Sequence, residues 1–115
     1  MPYLTVSTNA EVSAEAAASF LKEASKAVAE GAGKPEQYVM VKVAGGETLL
    51  FAGSNTPAAF MEMKSIGFPA QGVQALAGSL TDLVTKHLGV PKSRVFVVFT
   101  DVKAPMWGLN GETFG

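Results

Sequence analysis

Apolar residues change their spacing several times along this chain, and each change marks an element. Tyr3 to Ser7 is rich in β-forming residues and reads as a strand ended by Thr8-Asn9. From there the spacing widens: Ala17, Phe20, Leu21, Ala24 and Val28 recur three and four residues apart, which predicts an amphipathic helix over Ala14 to Glu30. Ser13 is its expected N-cap, Glu15 favours its positive end, and Gly31 and Gly33 close it. Tyr38 to Val43 returns to strand and is too apolar to have one fully wet face. Gly45-Gly46 is expected to turn it into a short partner, Thr48 to Ala52, forming a hairpin.

The second half repeats this plan. Gly33-Lys34-Pro35 followed by Tyr38 to Val41 overlies Gly89-Val90-Pro91 followed by Arg94 to Val97 at a constant offset of 56 residues. The same offset lays Ser13 over Pro69, the expected start of a second helix, and the first strand over Phe60 to Lys64. Val73, Leu76, Ala77, Leu80, Leu83, Val84 and Leu88 form that helix's apolar face, and Gly89 with Pro91 stops it. The repeat, spanning about residues 2–50 and 58–102, implies two βαβ units in one α/β (α+β) domain over 1–115. The expected product is a four-stranded sheet with two helices on one face. Its other face would lack a helical cover, which a neighbouring subunit could supply.

Composition agrees with that expectation. Of 115 residues, 48% are hydrophobic and only 17% charged, an apolar balance for so small a domain, so some of that surface is expected in a subunit interface. Nine Lys and Arg against ten Asp and Glu leave a net charge of -1, so neither nucleic acid nor an anionic membrane is an expected partner. The absence of cysteine excludes disulfides, thiolate metal sites and thiol chemistry. No basic segment precedes an apolar one as in a signal peptide, and no apolar run approaches the roughly 20 residues that span a bilayer. A soluble cytoplasmic protein is the default, with non-classical secretion as the route if it is exported.

Few residues carry recognisable chemistry. There is no Gly-rich phosphate loop, no HExxH and no carboxylate cluster with metal-ligand spacing, so no metal or cofactor is expected. The single histidine, His87, falls in the last turn of the second helix, where capping of the exposed carbonyls is its expected role. Pro2 is more suggestive. If Met1 is removed, Pro2 becomes a secondary amine at the head of a strand. An α-amino group titrates near pH 8, so about a tenth of it is free base at pH 7. Burial or a neighbouring cation disfavours the protonated form and would make it a general base near neutrality. The plain alternative is a proline that follows the initiator and frays with the terminus.

The order of several short motifs carries a resemblance. Met1-Pro2, Thr8-Asn9, Gly33-Lys34-Pro35 with Gln37-Tyr38, Phe51 to Ser54, Ser65-Ile66-Gly67, Arg94-Val95 with Asp101, and Gly108 to Phe114 run from end to end of the chain. Together they resemble the macrophage migration inhibitory factor family, which includes D-dopachrome tautomerase. The resemblance implies the same βαβ fold assembled as a homotrimer, with the active site at the subunit interface. It also implies keto-enol tautomerisation of aromatic α-keto acids such as phenylpyruvate, with Pro2 as catalytic base and no cofactor. Lys34 matches the lysine that binds the substrate carboxylate, and Ser65 with Ile66 matches a pocket segment offering backbone hydrogen bonds. Trp107 and Phe114 fall at apolar pocket positions; as isolated residues they would serve equally as core or interface anchors.

Two positions depart from the family pattern. Phe96 stands where a tyrosine is expected and Val98 where an asparagine is expected, both contributed across the subunit interface. Phe96 keeps an aromatic wall without a hydroxyl, and Val98 cannot hydrogen-bond a substrate, which implies weaker activity or a less polar substrate. Ala58-Ala59-Phe60-Met61 replaces the Cys-x-x-Cys of some members and removes thiol-oxidoreductase chemistry. Two further readings remain: a cytokine-like protein that binds a protein receptor with the pocket residual, and a ferredoxin-like small-molecule module, since fold alone does not settle function.

Overall fold

The computed structural model describes residues 1–115. Strand β1 (Tyr3–Thr8) leads through helix α1 (Ala14–Ala32) to β2 (Met40–Ala44), and β3 (Ala59–Ser65) leads through α2 (Gly72–Leu88) to β4 (Val95–Asp101). The four strands form one sheet in the order β2-β1-β3-β4. β1 runs parallel to β2, β3 runs parallel to β4, and β1 and β3 meet antiparallel at the centre. Parallel neighbours need a long crossover, and the two helices provide it.

Both helices lie against one face of the sheet. Phe20, Ala24 and Val28 of α1 and Leu76, Leu80 and Val84 of α2 are buried with Leu4 and Val6 of β1 and Met61 and Met63 of β3 in a single core. Ser13 caps α1 as expected, its Oγ accepting from the Ala16 amide at 3.0 Å. α1 runs two residues beyond Glu30 and ends at Gly33, not at Gly31; α2 begins at Gly72, three residues after Pro69. Gly33 and Gly89 both adopt the left-handed conformation that stops each helix, a position glycine tolerates for want of a Cβ.

The 56-residue offset holds in the helices and fails in the leading strands. Phe20, Ala24, Val28 and Ala32 are buried in α1, and Leu76, Leu80, Val84 and Leu88, each 56 residues on, are buried in α2. Single-turn 3-10 helices at Glu36–Tyr38 and Lys92–Arg94 obey the same spacing. Leu4, however, is buried, whereas Phe60, 56 residues later, is exposed. β1 buries Leu4, Val6 and Thr8, but β3 buries Ala59, Met61, Met63 and Ser65. Strand side chains alternate with period two, so a one-residue slip between the units reverses the face.

The expected hairpin of Thr48 to Ala52 on β2 does not form. Beyond β2 the Gly46 amide donates to the Ala10 carbonyl (2.8 Å) and the Glu47 amide to that of Thr8 (3.0 Å), which leads the chain past the end of β1. Residues 51–57 form an irregular loop with one bridge between Phe51 and Ser54. Arg94 holds it: the guanidinium donates to the carbonyls of Phe51, Ser54 and Thr56, each at 3.1 Å, and of Pro57 at 3.0 Å, and lies over the Phe51 ring. Asn9 fastens the other side, donating to the carbonyls of Asn55 and Thr56 and accepting from the Ala58 amide.

His87 does not cap α2. The helix closes through the Gly89 amide on Thr85, while His87 Nε2 faces the Glu23 carboxylate on α1, which Lys86 also reaches at 3.2 Å. The hydrogen bond from Lys86, joined by His87, holds the Glu23 carboxyl below the usual range despite some desolvation. A carboxyl depressed in the folded state stabilises above its unfolded pKa, and that stabilisation is lost as pH falls through the folded value. Glu23→Gln is therefore expected to flatten the acid side of the stability profile, read as urea midpoints between about pH 6 and about pH 3.

Candidate active site at the amino terminus

The head of β1 places the candidate base. Pro2 is fully buried, and its carbonyl accepts from the Met40 amide at 3.0 Å, which pins the terminus to the start of β2. Tyr3 lies between Met40 and Lys64 in the sheet. Continued one step beyond the Tyr3–Lys64 pair, that register sets Pro2 against Ser65, the last residue of β3. Ser65 is buried and Ile66 half-buried.

Lys34 arrives by the termination of α1. Its amide donates to the Ala29 carbonyl at 3.0 Å while the Gly33 amide reaches Glu30, the paired bonds of a Schellman end. This turn sets the half-buried Lys34 near the chain terminus. The terminal amine, carried here by Met1, has its pKa lowered first by desolvation and then by the Lys34 charge. Both causes favour the free base.

Apolar walls complete the site. A cavity of ≈ 300 Å³ is lined by Met1, the stretch Gln37 to Met40, and Trp107, Gly108, Leu109 and Phe114. The tail enters it because β5 (Gly108–Leu109) and β6 (Glu112–Thr113) form a hairpin whose two turn residues, Asn110 and Gly111, have φ of 55° and 82°. Asn-Gly is the residue pair such a turn prefers. The hairpin returns Phe114 to Trp107, where its amide meets the Trp107 carbonyl at 3.0 Å. Sequence reasoning found Trp107 and Phe114 but missed Tyr38 and Met40 as walls. The available signal was the apolar character of both faces of the second strand.

Phe96 and Val98 do not join this cluster within the chain. Both project from β4 on the sheet face without helices, 54% and 45% exposed. Phe96 packs against Phe51 and Phe60 and lines a second, wholly apolar cavity of ≈ 250 Å³ with Leu49, Leu50, Ala58 and Ala59. No His, Cys, Asp and Glu side chains gather in a group of three as a metal site would need, and no helix is long and apolar enough to cross a membrane.

The amine of lowered basicity and Lys34 lie beside the cavity of ≈ 300 Å³, whose lining includes Met1, Trp107 and Phe114 but not Pro2, Lys34, Ser65 or Ile66. A family model described as macrophage migration inhibitory factor (MIF) matches residues 1–115. The chain is 41% identical to a macrophage migration inhibitory factor homolog of Brugia malayi, over 100% of both chains. Among solved structures, the homologue from Prochlorococcus marinus superimposes with a TM-score of 0.93 at 35% identity, covering 98% of this chain and 99% of that one. The Toxoplasma gondii protein gives 0.92 at 33% identity, covering 97% and 99%.

Proposed function

The chain belongs to the macrophage migration inhibitory factor family, and from that premise we propose that it is an isomerase interconverting the keto and enol forms of aromatic α-keto acids such as phenylpyruvate. The observation that carries the reading is the terminal amine, depressed in basicity by burial and by the Lys34 charge, on a residue that lines an apolar cavity. While Met1 is attached, the Pro2 nitrogen is an amide and has no basic lone pair. Excision of Met1 moves the amine one residue inward, to a position more buried than Met1 itself.

In the proposed reaction the Pro2 amine takes the proton from the carbon beside the carbonyl and becomes ammonium. Charge develops on the carbonyl oxygen, which takes that proton from the Pro2 ammonium, directly or through water, to give the enol and restore the amine; the reverse sequence returns the proton to carbon. No redox change occurs, so no cofactor is required. Lys34 pairs with the carboxylate, the backbone at Ser65-Ile66 offers hydrogen bonds, and Trp107 and Phe114 enclose the ring and exclude water.

We further propose a homotrimer. The uncovered sheet face carries Met40, Phe60, Phe96 and Val98, all exposed, beside the second apolar cavity, and this supports burial against neighbouring copies. Phe96 and Val98 would then reach a neighbour's site. Neither can hydrogen-bond a substrate, which favours unsubstituted rings over hydroxylated ones.

The test is ultraviolet detection of phenylpyruvate keto-enol conversion by protein whose mass confirms loss of Met1, with sedimentation read against three chains of 11.9 kDa. Rates at the uncatalysed level would overturn the reading and favour a protein-binding role with the pocket residual. Lys34→Ala is expected to raise KM for the keto acid. It should also raise the pKa of the amine, because a cation that favours the neutral form is gone, and so move the acid limb of kcat/KM to higher pH.

A further inference from the structure

Two polar side chains are fully buried in the sheet, and they differ in one respect. Thr8 Oγ1 donates to the Ala58 carbonyl at 2.7 Å. Ser65 Oγ has no hydrogen-bond partner. A buried hydroxyl without a partner is costly, and native structures keep few of them without a reason. The Ser65 carbonyl already accepts from the Val102 amide at 2.8 Å, so the orphan is the side chain.

The register supplies the missing partner. Leu4 lies opposite Met63 and Tyr3 opposite Lys64, so the next pair is Pro2 with Ser65. Both belong to the buried, helix-facing side: Pro2 alternates with Leu4 and Val6, Ser65 with Met63 and Met61. Residues directly opposed in this way hold their Cβ atoms about 5 Å apart. In the methionine-bearing chain the Pro2 nitrogen has no hydrogen to offer; after excision it has one as amine and two as ammonium.

We propose that Ser65 Oγ accepts a hydrogen bond from the Pro2 N–H once Met1 is gone, making Ser65 a positioning residue for the base. With one N–H fixed on Ser65, the lone pair is directed away from the buried face, and the abstracted proton resides on that outward side until it is returned. Two charged groups lie near. Lys34 acts on the amine through its charge, and Asp101, opposite Ser65 on β4, has a carboxylate oxygen already engaged by the Gly67 amide at 3.0 Å. Asp101 is exposed, so neither it nor Lys34 fills the role of the buried acceptor.

This inference rests on the proposed role of Pro2, and its test separates the two. In processed protein carrying ¹⁵N-proline, the Pro2 amine is titrated by NMR with Ser65, Ser65→Ala and Ser65→Thr. Loss of the acceptor disfavours the ammonium, so Ser65→Ala should lower the amine pKa by about 0.5 to 1, with kcat down roughly tenfold and KM little changed; Ser65→Thr should restore both. A stability comparison adds a sign reversal. Ser65→Ala should be neutral or stabilising in protein that retains Met1, produced with methionine aminopeptidase inhibited, and destabilising in processed protein. Superimposable titrations, or the same stability change in both forms, would overturn the inference. Processed wild type that is inactive on phenylpyruvate would instead sink the tautomerase reading, and the titration would still decide the Ser65 contact.

Discussion

Pro2→Gly in processed protein is expected to lower kcat on phenylpyruvate by roughly 10²-fold, within the range that a positioned general base contributes. The substitution leaves an amine at the terminus, so the loss measures position more than basicity. The pyrrolidine ring fixes φ and with it the direction of the lone pair, whereas a glycine amine rotates freely. KM should change little, because Lys34 and the Trp107–Phe114 wall remain. Protein that retains Met1 should be at least as impaired, since its amine is displaced by one residue from the position of the Pro2 nitrogen. Steady-state kinetics on mass-verified samples check both; equal kcat in the wild type and the Pro2→Gly variant would remove Pro2 from the mechanism.

Phe20→Ala is expected to destabilise the protein by about 3–5 kcal/mol. Phe20 is the largest side chain with no exposed surface and lies within the core shared by α1, α2 and the sheet. It also meets the His87 ring edge-on at 6.5 Å, so the cavity left behind would reach the Glu23–His87 contact between the helices. A small domain has about 5–15 kcal/mol in total, so this one truncation removes a large share. Urea denaturation of the variant should show a lower midpoint; a change below about 1 kcal/mol would mean that the core repacks around the gap.

The motif residues outside the site have a physical role that the sequence did not disclose. Arg94 and Asn9 marked the family resemblance without an assigned task. In the structure they fasten the same loop, residues 51–57, through carbonyls some forty positions away in the chain. The 48–52 segment read as a strand from its composition because its hydrogen-bond partners are remote. His87 looked like a cap for the same reason, its actual partner Glu23 lying on the other helix. The tail hairpin was not read from the sequence, although Asn110-Gly111 is a pair that specifies such a turn locally.

Although Val73, expected on the buried face of α2, is exposed and no strand forms over 48–52, the two helices and most of their buried positions, the stops at Gly33 and Gly89, and strands β1 to β4 follow from residue order. These are short-range signals: spacing of 3.6 or 2 residues, a capping serine, a left-handed glycine. Pro2 was legible as a candidate because a secondary amine at a chain terminus is unusual chemistry, whereas Lys34 was marked only by the family resemblance. The face that β3 buries needed the assembled sheet, since one residue of slip reverses every side chain and leaves composition unchanged. So did the closing of residues 37–40 and 107–114 around the terminus, the placing of Ser65 opposite Pro2, and the separation of Phe96 and Val98 on the uncovered face. Each of those depends on strand register and on contacts between distant segments, which no local pattern encodes.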